Sequence, residues 1–391
     1  PEVLGLHGVL HTARIRRSSM RTLLLLAGCC MCSVATTRGL PAVYRTARWL
    51  ARGIGTELLT NISGKGRNIV APSGRYGPNT SDGDVAVVTG ATGGIGAEIC
   101  AGLSEAGFRV IVAARDPLRG KKLADRTRGA SFVRWDAADG PSALADAVGN
   151  QPCALLVNNA GVMGTSRGEI LRTNLVSVAA LTLALLPALR QHAAPRVVNV
   201  GSSSHLRAGG VGTSNLGRDD LDGRMEAYAE SKLGIMQLST VLRSALPWLG
   251  VVDTHPGLVW TPMLKQNCGR IAPVLERTGV WRFFFKEPAC AAETVIAAAL
   301  SPREPPASWG EGSRWAQDWG SQPYFVNGRP GGFASSESRD ITAARAMWID
   351  VLLPQIAGDA ALATGIREVT EGLNDIDEDS NGKACSAQKL E

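Results

Sequence analysis

The chain has 391 residues, of which 45% are hydrophobic and 19% charged, so it is long and apolar enough to bury a sizeable core. Its net charge of +6 is unevenly distributed: residues 1–80 carry 11 Lys and Arg against Glu2 and Glu57, whereas residues 81–391 carry 30 basic and 33 acidic residues. The basic excess therefore belongs to the N-terminal segment, and it gives no indication of nucleic-acid binding. The eight cysteines have neither the spacing of a metal site nor the pattern of a disulfide framework.

Residues 1–80 have the composition of a targeting segment. Read from Met20, a charged start precedes an apolar run, Leu23–Ala35, and an Arg-rich stretch with almost no acids follows up to Arg75. A signal peptide followed by transit-peptide composition predicts an organelle, either a plastid or the endoplasmic reticulum and secretory route, rather than the cytosol. The alternative is an uncleaved amphipathic anchor over Tyr44–Leu59, which would associate the protein with a membrane surface.

From Asp84 onward, short apolar runs alternate with stretches of helical periodicity. The predicted strands are Val85–Thr89, Arg109–Ala114, Ser131–Trp135, Ala154–Asn158, Arg196–Val200, Gly250–Thr254 and Tyr324–Val326. The main predicted helices are a segment ending near Gly107, a basic segment ending near Arg128, and Glu169–Gln191, Met225–Leu246 and Ile341–Leu353. This alternation predicts an α/β fold: a Rossmann-type, doubly wound parallel sheet with helices on both faces, formed as a single domain over residues 84–358.

The remaining tail, residues 368–391, is acidic and polar, which predicts disorder. Its Asp377 and Asp379 resemble the start of a calcium loop, but the twelfth position is Gln388 rather than Glu, so no metal site is expected.

A glycine-rich turn follows the first predicted strand and opens a helix. It runs Thr89-Gly90-Ala-Thr-Gly93-Gly94-Ile95-Gly96. Gly90 permits the tight turn, Gly94 lets the backbone approach phosphate groups, and Gly96 allows close helix packing. A dinucleotide is therefore expected here, with Thr89, Gly90, Gly94, Ile95 and Gly96 in contact with it. The paired Gly93-Gly94 fits two different spacings of the motif, so the turn alone does not discriminate between them.

A phenol and an ammonium group lie four residues apart at Tyr228 and Lys232, so they share one face of a predicted helix. A phenol with a pKa of about 10 is a weak acid unaided. The neighbouring ammonium is expected to pull this pKa towards neutrality, which would suit a proton donor.

Between these two motifs lie Asn158-Asn159-Ala160-Gly161, Asn174 and Ser202. Together the motifs resemble the short-chain dehydrogenase/reductase family in its classical branch, over residues 84–358. The resemblance implies hydride transfer between a nicotinamide nucleotide and a carbonyl or alcohol. It assigns catalysis to Asn174, Ser202, Tyr228 and Lys232, with Ser203 as the alternative if the register shifts by one residue.

The same resemblance implies further cofactor contacts. Lys232, beside Tyr228, would reach the nicotinamide ribose, and Thr261 would reach the carboxamide. Asp136 matches the residue that contacts adenine, although it could equally cap the end of a strand. The residues that complete the predicted cofactor site are Asn159, Ala160, Gly161, Tyr228, Lys232, Pro256, Gly257 and Thr261.

Cofactor preference depends on the end of the second strand. A carboxylate there favours NAD(H), and a cation favours NADP(H). Ala114 occupies the acidic position of the family and Arg115 follows it, which favours NADP(H). The competing candidate is Asp116, which would bind a ribose hydroxyl group of NAD(H).

Within the family, Asn-Val-x-Ser-x-x-His at 199–205 and the aromatic stretch from Trp281 to Phe285 are most similar to retinol dehydrogenases and their WW-domain oxidoreductase relatives. Gly201 replaces the usual first serine, and the segment between Gly161 and Asn174 is shorter than usual, so retinoid specificity does not transfer. We expect an NADP(H)-dependent enzyme acting on a lipophilic small-molecule carbonyl or alcohol. The alternatives are a non-catalytic dinucleotide-binding regulator or scaffold, and an extended-family epimerase or dehydratase. The substrate, the direction and the oligomeric state, a homo-oligomer included, stay open.

Overall fold

The computed structural model describes residues 83–212, 221–268, 272–279, 281–301, 324–331 and 334–387. From the N-terminal segment it describes Arg45, Ala47, Trp49, Leu50 and Gly55. The predicted leader otherwise lies outside the described residues.

Eight strands form one sheet. They are β1 (Val85–Thr89), β2 (Arg109–Ala114), β3 (Ser131–Arg134), β4 (Cys153–Asn158), β5 (Arg196–Val200), β6 (Gly250–His255), β7 (Tyr324–Val326) and β8 (Arg329–Pro330). Their order in the sheet is β3-β2-β1-β4-β5-β6-β7-β8, and every pair is parallel except β7 with β8. Successive strands are added on one side of β1 up to β3 and on the other side from β4 onward. The gap between β1 and β4 is therefore the switch point of the fold.

Helices cover the sheet and border its carboxyl edge. They include α1 (Gly94–Glu105), α2 (Pro117–Arg126), α3 (Ser142–Val148), α4 (Arg167–Arg190), α5 (Leu221–Ala245), α6 (Pro262–Cys268), α7 (Ala272–Thr278), α8 (Trp281–Phe284), α9 (Pro288–Leu300), α10 (Ser336–Arg339), α11 (Ile341–Ala346) and α12 (Ala363–Ala387). A π-helical turn, Met347–Leu352, continues α11 into Leu353–Ile356.

The core is divided by the sheet, because successive side chains of a strand point to opposite faces. In β1, Val85 and Val87 pack into a cluster with α3, α4, α5 and α12. Ala86 and Val88 pack into a second cluster with α1 and α9. Both faces of the strand are thus buried, which explains its unbroken apolar sequence. The predicted doubly wound α/β fold is confirmed.

Within the described part of the chain, α4 is long and apolar enough to cross a membrane by length and composition alone. Most of it is buried against the sheet, where Val178, Leu181, Leu185 and Leu189 belong to the core. This helix is therefore apolar because it is a core helix.

The C-terminal tail differs from the prediction of disorder, because α12 runs from Ala363 through Ala387 and includes the residues that resemble a calcium loop. Val369 and Leu373 are buried in the core, and Ile366 packs against it. These apolar residues recur at helical spacing, so they form one face of an amphipathic helix. The acidic residues of the other face dominated the composition and concealed this periodicity.

Close contact between α12 and α5 occurs at Gly372. A Cβ atom on this residue would overlap the Ala245 carbonyl oxygen and lie 2.9 Å from the Ala245 Cα atom. The absence of a side chain therefore allows the two helices to approach each other.

We expect Gly372→Ala to destabilise the protein. The added methyl group would be forced against a backbone that cannot move independently, which costs about 1–3 kcal/mol of unfolding free energy. The matched control is Gly358→Ala, because a Cβ atom at Gly358 would meet nothing within 4 Å. Urea unfolding of both variants measures the difference, and equal stabilities would show that α12 does not pack as described.

Candidate active site

A cavity of roughly 1190 Å³ opens at the carboxyl ends of the parallel strands, beside the switch point. Nearly all of the sequence-predicted site residues line it. They are Gly90, Gly94, Ile95, Gly96, Arg115, Asp136, Asn159, Ala160, Gly161, Ser202, Tyr228, Lys232, Pro256, Gly257 and Thr261. Thr89 and Asn174 do not line the cavity themselves, since they are buried with 1% and 0% of their surface exposed.

The glycine turn is shaped by two different constraints. Gly90 has φ +61°, and a Cβ atom there would lie 2.8 Å from the Ala160 Cα atom, so only glycine fits. At Gly94, by contrast, the closest protein atom to a Cβ would be at 3.4 Å. The protein itself leaves room at Gly94, on the side that lines the cavity.

The N-terminus of α1 faces the same cavity. Its N-cap is Gly93, which offers no capping side chain, and its first turn contains no acidic residue. Uncapped amide groups and the positive end of a helix dipole form a site for anions. The turn and the helix thus fit the phosphate groups of a dinucleotide.

Thr89 joins the ends of β1 and β4. Its hydroxyl oxygen accepts hydrogen bonds from the backbone N–H groups of Asn159 at 3.1 Å and Ala160 at 3.0 Å, and donates to the Val157 carbonyl at 3.3 Å. The Asn159 amide donates in return to the carbonyl oxygens of Thr89 and Gly90. Thr89 and Asn159 therefore hold the two sides of the cavity together.

The charged residues beyond β2 have distinct partners. One carboxylate oxygen of Asp116 caps α2 by accepting from the N–H groups of Leu118 at 3.0 Å and Arg119 at 3.1 Å. The Arg115 side chain is 66% exposed at the cavity, with its Nε atom 4.0 Å from Asp136. Asp136 also caps the following turn by accepting from the Ala138 N–H group.

Arg119 makes a contact that sequence reasoning did not identify. Its guanidinium donates to the Thr92 carbonyl at 2.8 Å, across the glycine turn. The side chain therefore links α2 to the turn and places a second cation at the same end of the cavity. The proximity of Arg119 to Arg115 in the sequence was the available signal.

Tyr228 and Ser202 meet on the cavity wall. Tyr228 comes from α5 and is 8% exposed, while Ser202 ends the segment after β5 and caps the turn Ser203–Arg207. Burial raises the pKa of Tyr228 to about 12, and the Ser202 side chain opposes this rise. The expectation that the phenol pKa moves towards neutrality is wrong for this structure, because removal from water disfavours the charged phenolate and outweighs the opposing effect of Ser202.

Ser202, rather than Ser203, lines the cavity together with Tyr228. The Ser202 hydroxyl also bonds to the Ser204 hydroxyl at 3.1 Å and accepts from the Ser204 N–H group at 3.2 Å. Ser203 does not line the cavity, so the structure brings the first of the two candidate serines to the phenol.

Lys232 lies one helical turn after Tyr228, with its Nζ atom 5.6 Å from the centre of the phenol ring. The ammonium donates to the Val200 carbonyl at 2.8 Å. Burial lowers the pKa of Lys232 to about 8. This amine is therefore held in place by the end of β5 and titrates far closer to neutrality than an exposed lysine.

Asn174 lies in a π-helical turn, Arg172–Val176, within α4. Its amide oxygen accepts from the Val162 N–H group at 2.8 Å, and its nitrogen donates to the Val162 carbonyl at 3.0 Å and to Ser231 at 3.0 Å. Such turns are frequent at functional sites. Asn174 thereby holds the segment after Gly161 against α5.

The segment after β6 carries the remaining predicted cofactor residues. Gly257 has φ +96°, and the Thr261 hydroxyl caps α6 by accepting from the Leu264 N–H group. Sequence reasoning missed Lys286, a buried side chain that donates to the Pro256 carbonyl at 3.3 Å and to Asn327. Lys286 therefore fixes the Pro-Gly turn to the β7–β8 hairpin.

His205 supports the serine turn. Its Nε2 atom accepts from the Ser335 N–H group at 3.2 Å, so Nδ1 carries the proton and donates to the Ser202 carbonyl at 2.7 Å. A residue just before α10 thus helps to position Ser202. The Ser-x-x-His spacing was visible in the sequence, but the contact of His205 with Ser335, 130 residues later, could not be predicted from it.

The sheet, the glycine turn and the Ser202–Tyr228–Lys232 group at the cavity define an oxidoreductase with a site for a nicotinamide dinucleotide. The family model for short chain dehydrogenase matches residues 84–269. The chain belongs to the short-chain dehydrogenase/reductase family, as the motifs predicted.

Two curated relatives agree with this assignment. The chain is 35% identical over 292 residues to polyprenol dehydrogenase of Mus musculus, covering 67% of this chain and 82% of that protein. It is 32% identical over 240 residues to human retinol dehydrogenase 11, covering 56% of this chain and 73% of the relative. The solved structure of actinorhodin polyketide ketoreductase with NADPH is 26% identical, with a TM-score of 0.46, and the match covers 57% of this chain and 95% of the other. The predicted resemblance to retinol dehydrogenases is confirmed.

Proposed function

We propose that this protein is an NADP(H)-dependent oxidoreductase that interconverts a lipophilic aldehyde or ketone and the corresponding alcohol. The observation that carries the proposal is that Ser202, Tyr228 and Lys232 line the same cavity as the glycine turn. A proton donor, a second hydroxyl group and a phosphate site therefore open into one space.

The nicotinamide nucleotide, when bound, exchanges a hydride with the substrate carbon. Tyr228 donates its proton to the carbonyl oxygen during reduction and accepts one during oxidation. The Ser202 hydroxyl hydrogen-bonds the same oxygen and stabilises the charge that develops on it. With a pKa of about 12, Tyr228 keeps its proton at neutral pH, which suits the donor required for reduction.

Lys232 and Asn174 are the other two proposed catalytic residues. The Lys232 ammonium, charged below a pH of about 8, contributes positive charge near the phenol. A Cβ atom on Gly161 would lie 3.4 Å from the Asn174 amide oxygen and 3.7 Å from Lys232 Nζ, so both polar groups flank this glycine. We propose that they return protons to Tyr228 through water.

An apolar substrate follows from the rest of the lining. Beyond the polar groups, the cavity wall consists largely of Val162, Met163, Met225, Leu258, Val259, Met263, Leu264, Leu275, Phe284 and Phe285. Contact with these side chains favours a hydrocarbon group over a sugar or a charged metabolite. This lining also argues against an epimerase or dehydratase that binds sugar nucleotides.

The preference for NADP(H) is proposed from the charges beyond β2. Asp116 is engaged in capping α2, whereas Arg115 is largely exposed at the cavity and Arg119 lies across the glycine turn. A 2′-phosphate would meet two guanidinium groups there. We also propose that residues 1–80 carry an organelle address.

Tyr228→Phe is expected to lower kcat for reduction by at least about 10²-fold, because the proton donor is lost while the ring remains. Ser202→Ala should also reduce kcat strongly, whereas Ser203→Ala, one residue away and outside the cavity, should not. Initial rates of NADPH oxidation with a panel of aldehydes measure these effects. Turnover close to wild type in Tyr228→Phe would refute the mechanism.

The rate of reduction is expected to fall as pH rises through about 8. Lys232 has a pKa lowered from 10.5 to about 8, so it loses its charge in this range while Tyr228 remains protonated. A profile of kcat/KM from about pH 6 to about pH 10 should show this alkaline decline. In Lys232→Arg, whose side chain does not deprotonate, the residual activity should lack it. A profile that stays flat in the wild type contradicts this role of Lys232.

Arg115→Ala is expected to weaken NADPH binding and to leave NADH binding nearly unchanged. Loss of a charge-assisted contact of about 1.5–3 kcal/mol corresponds to a roughly 10- to 150-fold higher Kd. The matched variant is Asp116→Asn, which keeps an N-capping side chain and removes the charge. Fluorescence titration of both variants with both cofactors decides the question. Preferential loss of NADH binding in Asp116→Asn would favour the alternative cofactor.

A further inference from the structure

One residue that lines the cavity lies far outside the region that the family model matches. Trp49, within the predicted leader, lines the same space as Tyr228 and Ser202. The residues described around it include helical positions at Arg45 and Ala47. Arg45 and Trp49 are one helical turn apart, so they share a face.

Two contacts tie this face to the serine turn. The Arg207 guanidinium lies 5.7 Å from the centre of the Trp49 ring, in cation–π geometry, and Arg207 is only 9% exposed. The Arg45 guanidinium packs against Gly209, where a Cβ atom would lie 2.9 Å from its Cζ atom. One contact falls on the last residue of the turn Ser203–Arg207 and the other lies two residues beyond it.

The position of these contacts places Trp49 at the substrate end of the cavity. Arg207 ends the turn that Ser202 caps. Arg115 and Asp136, the groups expected to meet the adenosine part of the cofactor, lie beyond β2 and β3, on the opposite side of the switch point. A large aromatic ring on the same side of the switch point as Ser202 therefore lines the part of the cavity that is available to the substrate.

We propose that Trp49 contacts the hydrocarbon chain of the substrate and determines the preference for long chains. The N-terminal segment that contains it is consequently retained in the active protein and forms part of the site. This inference rests on the proposed function, since it assigns a specificity-determining residue to the same reaction.

The test compares Trp49→Ala with Trp248→Ala in the full chain. Trp248 also pairs with an arginine, Arg190 at 4.3 Å, but lies outside the cavity. With NADPH, Trp49→Ala should lower kcat/KM for dodecanal about tenfold, through KM, and should leave propanal unchanged, because only the longer chain reaches the ring. Trp49→Phe should restore most of the loss. The Trp248→Ala variant should have the same kcat/KM as the wild type for both aldehydes.

Binding without turnover separates this inference from the proposed reaction. Calorimetric titration with dodecanol should show about tenfold weaker binding to Trp49→Ala than to Trp248→Ala or the wild type. If dodecanol binds in this way but no aldehyde is reduced, the proposed function fails and the role of Trp49 stands. Equal dodecanol affinity in Trp49→Ala and the wild type, or full dodecanal activity in a mature chain that begins after Trp49, would overturn the inference.

Discussion

The hydroxyl group of Thr89 connects the ends of two strands whose contacting residues are 70 positions apart in the sequence. It accepts hydrogen bonds from two successive backbone N–H groups after β4 and donates one to the carbonyl of Val157. The same junction brings Gly90 so close to Ala160 that no side chain fits between them. The cavity exists because these two strand ends are held at this separation. This junction fixes the N-terminus of α1, which fits phosphate groups, relative to the segment that leads to Gly161.

Burial governs the chemistry of the remaining site. Tyr228 and Lys232 are both withdrawn from water, and withdrawal favours the neutral form of each group. The pKa of the phenol is therefore raised to about 12 and that of the amine lowered to about 8. Near neutral pH the phenol is therefore protonated and the amine still carries its charge. Desolvation brings the pKa of the Lys232 amine close to neutral pH, where a small change in its surroundings alters its charge.

The strands near the switch point could be predicted from the sequence almost to the residue. Val85–Thr89 and Arg109–Ala114 are continuous apolar runs because both of their faces are covered, and this pattern is local. The cavity residues could be predicted because glycines, Ser202, Tyr228 and Lys232 recur in a fixed order in the family. Contacts between distant segments could not: Lys286 with Pro256, and Trp49 with Arg207, depend on the completed fold. The pKa of Tyr228 could not be predicted either, since burial is a property of the packed protein.

The hydrogen bond from Ser335 to His205 has a consequence for the order in which the protein can be made. During synthesis, β1 to β5 and the Ser202 turn leave the ribosome well before residue 335, and the N-terminal part of a domain is the first able to collapse. The imidazole that holds the Ser202 carbonyl gains its second partner only when the segment before α10 has folded back over it. A truncation before Ser335 would therefore remove one support of the serine turn while leaving the sequence of β1 to β5 unchanged.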